Sequence, residues 1–147
     1  MVLERASKLG ISAYYFNKTA FLGGQIVELF KALDPDLIVL AGFLWRVPSD
    51  LVHAFPNKII NIHPALLPKY GGKGMFGSHV HKAVKESGDS ESGISIHFVN
   101  ENYDEGNLIF QAKTPVLNAD SAEHIAEKVH ALEYEHFPQI IEKLLNE

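Results

Sequence analysis

Asn61-Ile62-His63-Pro64-Ala65-Leu66-Leu67-Pro68-Lys69-Tyr70 is the stretch on which the reading of this chain turns. It follows the apolar run Lys58-Ile59-Ile60, so Asn61 and His63 fall where a buried strand ends. In an open α/β sheet, ligands bind along that edge. The two side chains lie two residues apart and share one face if the strand continues. Both are of the kind that can donate to a carbonyl oxygen as it becomes an oxyanion. Downstream, Gly93-Ile94-Ser95-Ile96-His97-Phe98-Val99-Asn100-Glu101-Asn102-Tyr103-Asp104 reads as another strand entering a loop that carries an acid. An amide, an imidazole and a carboxylate on neighbouring strand ends make a plausible acyl-transfer site.

Outward from this stretch the chain alternates β and α patterns. Residues 3–9 read as a helix stopped by Gly10, and 12–16 as a short β-rich segment. Ile26, Leu29, Phe30 and Leu33 repeat at helical spacing and end before Pro35. Leu37-Ile38-Val39-Leu40-Ala41-Gly42-Phe43 is the kind of run found in a strand covered on both faces. A short helix is expected over 51–55, a strand over 59–62, a flexible loop at 71–74 and a helix over 78–86. Strands are expected over 93–99 and 107–116. A last helix follows, with Asp120 and Glu123 as its capping box and Pro138 kinking or splitting it. The alternation predicts one α/β domain over 1–147, with an open, mostly parallel twisted sheet whose last pair is antiparallel.

Composition narrows the function classes. A net charge of −5 argues against nonspecific binding to nucleic acid or anionic membrane, which needs a basic face. With no cysteine there is neither a disulfide framework nor a thiolate metal site. No apolar run reaches membrane-spanning length and the first residues carry no secretory pattern, so the cytoplasm is the default compartment. His79 and His81 invite a metal reading, but no acidic ligand has the expected spacing; His81 reads as structural and no metal is expected.

Asn61-x-His63-Pro64-x-Leu66-Leu67-Pro68, followed by His97-Phe98-Val99 and Asp104-x-Gly106, resembles the glycinamide ribonucleotide formyltransferase family. The resemblance runs from about Glu4 to the C-terminus. It implies a Rossmann-like formyltransferase fold and transfer of a formyl group from 10-formyltetrahydrofolate, the cosubstrate, to the amine of glycinamide ribonucleotide in purine synthesis. It also implies the absence of a metal. By the same resemblance Asn61 and His63 polarise the formyl oxygen, and Asp104 favours protonated His63 and assists proton removal from the amine. Leu44, Trp45, Arg46 and Val47 match one folate-contacting segment; Asn100, Glu101, Asn102, Tyr103 and Asp104 match the other. His130, Ala131, Leu132 and Glu133 match the segment that holds the ribonucleotide, with Glu133 facing the sugar hydroxyls. His97, between apolar neighbours, is expected to support the site from behind.

The family's Gly-rich phosphate loop has no counterpart in this sequence. The expectation is therefore a sheet lacking the usual first βαβ unit, a weaker hold on the phosphate, and self-association through the open sheet. Alternative readings are another folate-dependent formyltransferase or hydrolase with the same core, or a folate-binding fragment with little or no activity. The bland readings of each segment are a polar strand end, a turn, an apolar loop and a solvated helix face.

Overall fold

The computed structural model describes residues 2–147. The elements run α1 (Val2–Lys8), α2 (Lys18–Leu22), α3 (Gln25–Leu33), β1 (Ile38–Leu40), α4 (Ser49–Ala54), β2 (Ile59–His63), α5 (Ser78–Ser87), β3 (Glu91–Phe98), β4 (Leu108–Pro115) and α6 (Ala122–Leu145). The four strands form one open sheet in the order β1-β2-β3-β4.

The expected α/β sheet forms, but its pairing is mixed rather than mostly parallel. Only β1 and β2 run parallel; β2–β3 and β3–β4 are antiparallel. The path of the link after β2 accounts for this. Lys69 and Tyr70, just past β2, both bond Asp89, just before β3. The chain thus returns to the sheet at the end by which β2 left it, and β3 has to run the other way.

Strand alternation divides the sheet into two unlike faces. Ile60, Ile62, Ile94 and Ile96 pack with Phe110 beneath α6 and α5, where Ile125, Val129, Val84 and Phe137 complete the contact. On the other face Ile38 and Ile59 join Ile26 and Val27 of α3 and Leu51 of α4 in a separate apolar cluster. Along that same face β2 and β3 continue with Asn61, His63, Ser95 and His97. Asn61 stands opposite His97 and His63 opposite Ser95. The polar half is covered by two loops, 64–77 and 99–107, in place of a helix.

Local details depart from the sequence pattern for identifiable reasons. Residues 12–16 form no strand, because no neighbour pairs with them; Phe16 instead stacks on Phe21 and meets Trp45 edge-on. β1 stops at Leu40, and the chain turns through Gly42 at φ 66°. The cap of α6 is Ser121, whose hydroxyl accepts from the His124 amide; Asp120 instead accepts from Leu117 N and Lys128. Pro138 does not split α6, which runs unbroken for 24 residues. It lacks an amide proton, so the carbonyl four residues back, at Tyr134, has no intrahelical donor.

Gly106 sets the path of the loop between β3 and β4. A Cβ there would lie 1.7 Å from the Phe98 carbonyl oxygen, in backbone that cannot step aside. We expect Gly106→Ala to cost about 3 kcal/mol and to lower Tm by more than about 5 °C. Thermal unfolding followed by circular dichroism checks this, and a melting curve superimposed on wild type would contradict it.

Candidate active site

His63 closes β2 and is 3% exposed. Its Nε2 lies 2.7 Å from the Tyr70 carbonyl oxygen. A carbonyl can only accept, so the proton of the neutral ring sits on Nε2 and Nδ1 carries a lone pair. That Nδ1 faces Asp104 Oδ2 at 3.6 Å. Asp104 is anchored by the Gly72 amide, which donates to Oδ2 at 2.9 Å, while Oδ1 lies 3.6 Å from His97 Nε2. His97 donates from Nδ1 to the Phe98 carbonyl, and its Nε2 lies 3.3 Å from the Asn61 amide nitrogen. His97 thereby links Asn61 to Asp104, whose other oxygen faces His63 Nδ1. Tyr70 and Asp104, which orient the His63 ring, both adopt left-handed backbone at φ 56°. For a residue with a Cβ that costs roughly 1–2 kcal/mol, which the surrounding bonds must offset.

Burial governs the protonation of this group. Desolvation pushes the His63 pKa below its ordinary 6.5; Asp104 and the Tyr70 carbonyl pull upward and do not fully compensate, and His97 adds to the lowering. Asp104 draws the ring toward its protonated form, and burial outweighs that pull. For Asp104 burial acts upward, but the facing His97 and His63 rings and the Gly72 amide hold the carboxyl below its ordinary value. Near neutral pH the resting site therefore contains a neutral imidazole whose free lone pair points at an ionised carboxylate. It is built to take up one proton at Nδ1 and hold it as an ion pair.

Two hollows meet at this cluster. The larger, about 680 Å³, is walled by Asn61, His63 and Asp104, by the 72–77 loop, and by His81, His130, Glu133, Tyr134 and Phe137 of the two helices. The smaller groove is lined by Phe43, Trp45, Arg46, Val47, Asn100 and Asn102. Asn61, Tyr103, Asp104 and Phe43 belong to both. With Asn61 and Asp104 shared by the two hollows and His63 beside them in the larger one, the arrangement can hold two small molecules against one another.

The sequence-derived residues divide accordingly. Asn61, His63, Asp104 and His97 are brought together. Leu44 is more than half exposed and lines the larger hollow, whereas Trp45, Arg46 and Val47 line the smaller one. Trp45 also packs against Phe16, Phe21 and Phe43, so part of its ring serves the core. Asn100, Asn102 and Tyr103 line the groove; Glu101 does not, and instead offers its carbonyl to Arg46 Nε and its carboxylate to His53. Of the helical segment, His130 and Glu133 reach the larger hollow. Ala131 and Leu132 do not, and Leu132 packs into the core beside Val129 and Ile125. Burial raises the Glu133 pKa, against a smaller lowering by His130. Among the described residues no group of three or more His, Cys, Asp or Glu is placed to hold a metal ion, and no helix is long and apolar enough to cross a membrane.

Two supporting residues escaped sequence reasoning. Fully buried Ser95 donates to the Ala65 carbonyl and accepts from the Leu67 amide. Gln111, paired with Ser95 across β3–β4, donates to both Ser95 Oγ and the Leu67 carbonyl. Together they pin the start of the loop whose end supplies the Tyr70 carbonyl. The available signal was that Ser95 shares a face with His97, and that Gln111 interrupts an apolar strand.

Comparison with known proteins adds the following. The formyl transferase family matches residues 4–141. The chloroplastic phosphoribosylglycinamide formyltransferase of Arabidopsis thaliana is 43% identical over 123 residues, 84% of this chain and 42% of the relative. The phosphoribosylglycinamide formyltransferase of Escherichia coli strain K12 is 38% identical over 144 residues, 95% of this chain and 66% of the relative. Among solved structures, glycinamide ribonucleotide transformylase 1 from Symbiobacterium toebii superposes with a TM-score of 0.84 at 34% identity, covering 95% of this chain and 66% of that one. Phosphoribosylglycinamide formyltransferase from Anaplasma phagocytophilum gives 0.87 at 30% identity, covering 98% and 68%. The chain spans about two fifths of the length of the plant relatives it matches.

The electrostatics can be read directly. Following the His63 ring protons by NMR should give a titration midpoint below 6.5. Asp104→Asn should move it lower still, because the upward pull of the carboxylate is lost while burial remains. An upward shift would reverse the assignment. Since the unfolded chain binds this proton at about 6.5 and the folded one resists it, His63 subtracts stability as the pH falls through that value.

Proposed function

Because the chain belongs to the formyl transferase family, we propose that it transfers a formyl group from 10-formyltetrahydrofolate to the primary amine of glycinamide ribonucleotide. The observation that carries this reading is the Asn61–His63–Asp104 cluster, with Asn61 and Asp104 shared by two hollows and His63 lining the larger. The folate lies in the groove between 44–47 and 100–104, with its formyl group at the cluster. The ribonucleotide fills the larger hollow, its amine toward His63 and its sugar toward His130 and Glu133.

The chemistry follows from the bare Nδ1. The amine attacks the formyl carbon, forming a C–N bond while the carbonyl π electrons move to oxygen. Asn61 Nδ2 turns from its long contact with His97 to donate to that oxyanion. The proton lost by the amine passes to the Nδ1 edge of His63, where Asp104 stabilises the resulting imidazolium. That cation lies beside the oxyanion and offsets its charge. Collapse of the intermediate breaks the bond to the folate nitrogen, which takes the proton. His63 and the carboxylate end as they began. The donation from Nε2 to Tyr70 persists throughout, so the ring need not rotate.

The test is formyl transfer measured with both substrates, alongside folate affinity. His63→Ala and Asp104→Asn should each lower kcat roughly 100–1,000-fold with folate affinity little changed, since both act on the transition state more than on the ground state. A variant with near-normal turnover leaves the catalytic set, and a wild-type chain that binds folate but transfers nothing supports the folate-binding alternative. Separately, a nonreactive folate analogue should change the emission of Trp45, the single tryptophan. A flat response alongside binding established by calorimetry would place the folate elsewhere.

A further inference from the structure

His81 sits in the first turns of α5 and is 3% exposed, yet its Nδ1 has no hydrogen-bond partner. A buried polar atom left unpaired weakens the fold, and most such atoms in proteins are satisfied. The ring also lines the larger hollow, near both His63 and His130 of α6. The His81 and His130 rings meet edge to face with centres 6.2 Å apart. Burial, then the fields of His130 and His63, keep it in the neutral form. A half-turn about Cβ–Cγ exchanges Nδ1 with Cδ2, so a nitrogen can be turned toward the hollow without moving the helix.

We propose that His81 is a substrate contact: a hydrogen-bond partner for the carboxamide that joins the reacting amine to the sugar of the acceptor. This rests on the reading that the acceptor is glycinamide ribonucleotide. His81 shares the hollow with Asp104 and Glu133 and stands near both His63 and His130, whose fields both reach it. The order along the acceptor is amine, carboxamide, sugar. A carboxamide offers one donor and one acceptor, and a neutral imidazole answers with one of each. A cation or a carboxylate at this place would match only half of it. Binding the acceptor removes the unpaired atom, so a defect of the free protein becomes part of the affinity for the ligand.

The experiment titrates glycinamide ribonucleotide, without formyl donor, into wild type, His81→Leu and His81→Asn by calorimetry, with steady-state kinetics and melting curves beside it. His81→Leu should weaken binding, and raise KM for the acceptor, about tenfold. It should leave kcat and KM for the formyl donor within about twofold, and raise Tm because an apolar side chain leaves no orphan. His81→Asn, with a donor and an acceptor of its own, should recover most of the affinity. Unchanged acceptor affinity in His81→Leu overturns the proposal. So does an Asn variant as weak as the Leu variant, or a Leu variant that melts lower or fails to fold, since a structural histidine would behave that way. If wild type itself binds no acceptor, the function reading falls and this inference falls with it. If wild type and His81→Leu bind equally well, this inference alone falls.

Discussion

The donation of His63 Nε2–H to the Tyr70 carbonyl is the contact on which the site depends. It fixes which nitrogen carries the proton, and so leaves the Nδ1 lone pair facing Asp104. Without it the two tautomers would compete and the carboxylate would face a donor as often as an acceptor. Holding one carbonyl in place requires a great deal of the surrounding chain. Ser95 and Gln111 clamp Leu67, the Tyr70 hydroxyl is tied to Ser87 and Asp89, and Gly71 follows immediately. A Cβ on Gly71 would come within 2.7 Å of Leu67 and 3.3 Å of Asp104. The loop can approach the acid only because that side chain is missing.

The same requirement explains why one face of the sheet is divided. Four polar side chains in sequence along β2 and β3 cannot be covered by an apolar helix without leaving them unpaired. Loops with free backbone groups cover them instead, and the gaps between loop, sheet and α6 become the two hollows. Helices close the opposite face, where the strands present isoleucine.

Much of this was legible in residue order. Asn61, His63 and Asp104 were readable because an apolar run ending in two polar residues marks a strand terminus, and their family spacing is distinctive. The amphipathic α3 and the buried β2 followed from periodicity. Strand direction did not, because it follows from the chain between β2 and β3 returning to the end it left, a return marked by Lys69 and Tyr70 meeting Asp89 about twenty residues on, which no local pattern records. The cap of α6 slipped by one residue because Asp120 found a stronger partner in Lys128. The family resemblance names the whole segment His130, Ala131, Leu132 and Glu133, whereas a helix turns neighbouring residues to different sides and only His130 and Glu133 reach the hollow. His81 looked structural from sequence; only three-dimensional burial shows that its nitrogen is unpaired.

Pro138 has a further effect on the substrate wall. With one rung of the backbone ladder missing between Tyr134 and Pro138, the packing of Phe137, Ile140, Ile141 and Leu144 over Ile60 and Ile96 helps to hold the last turns of α6. Phe137 and Pro138 themselves line the larger hollow. The wall is therefore positioned by the bulk of isoleucines on the far side of the helix. Removing one methyl group from Ile60 or Ile96 would let it settle inward, so the volume of the hydrophobic interior becomes a determinant of how tightly a small molecule is held.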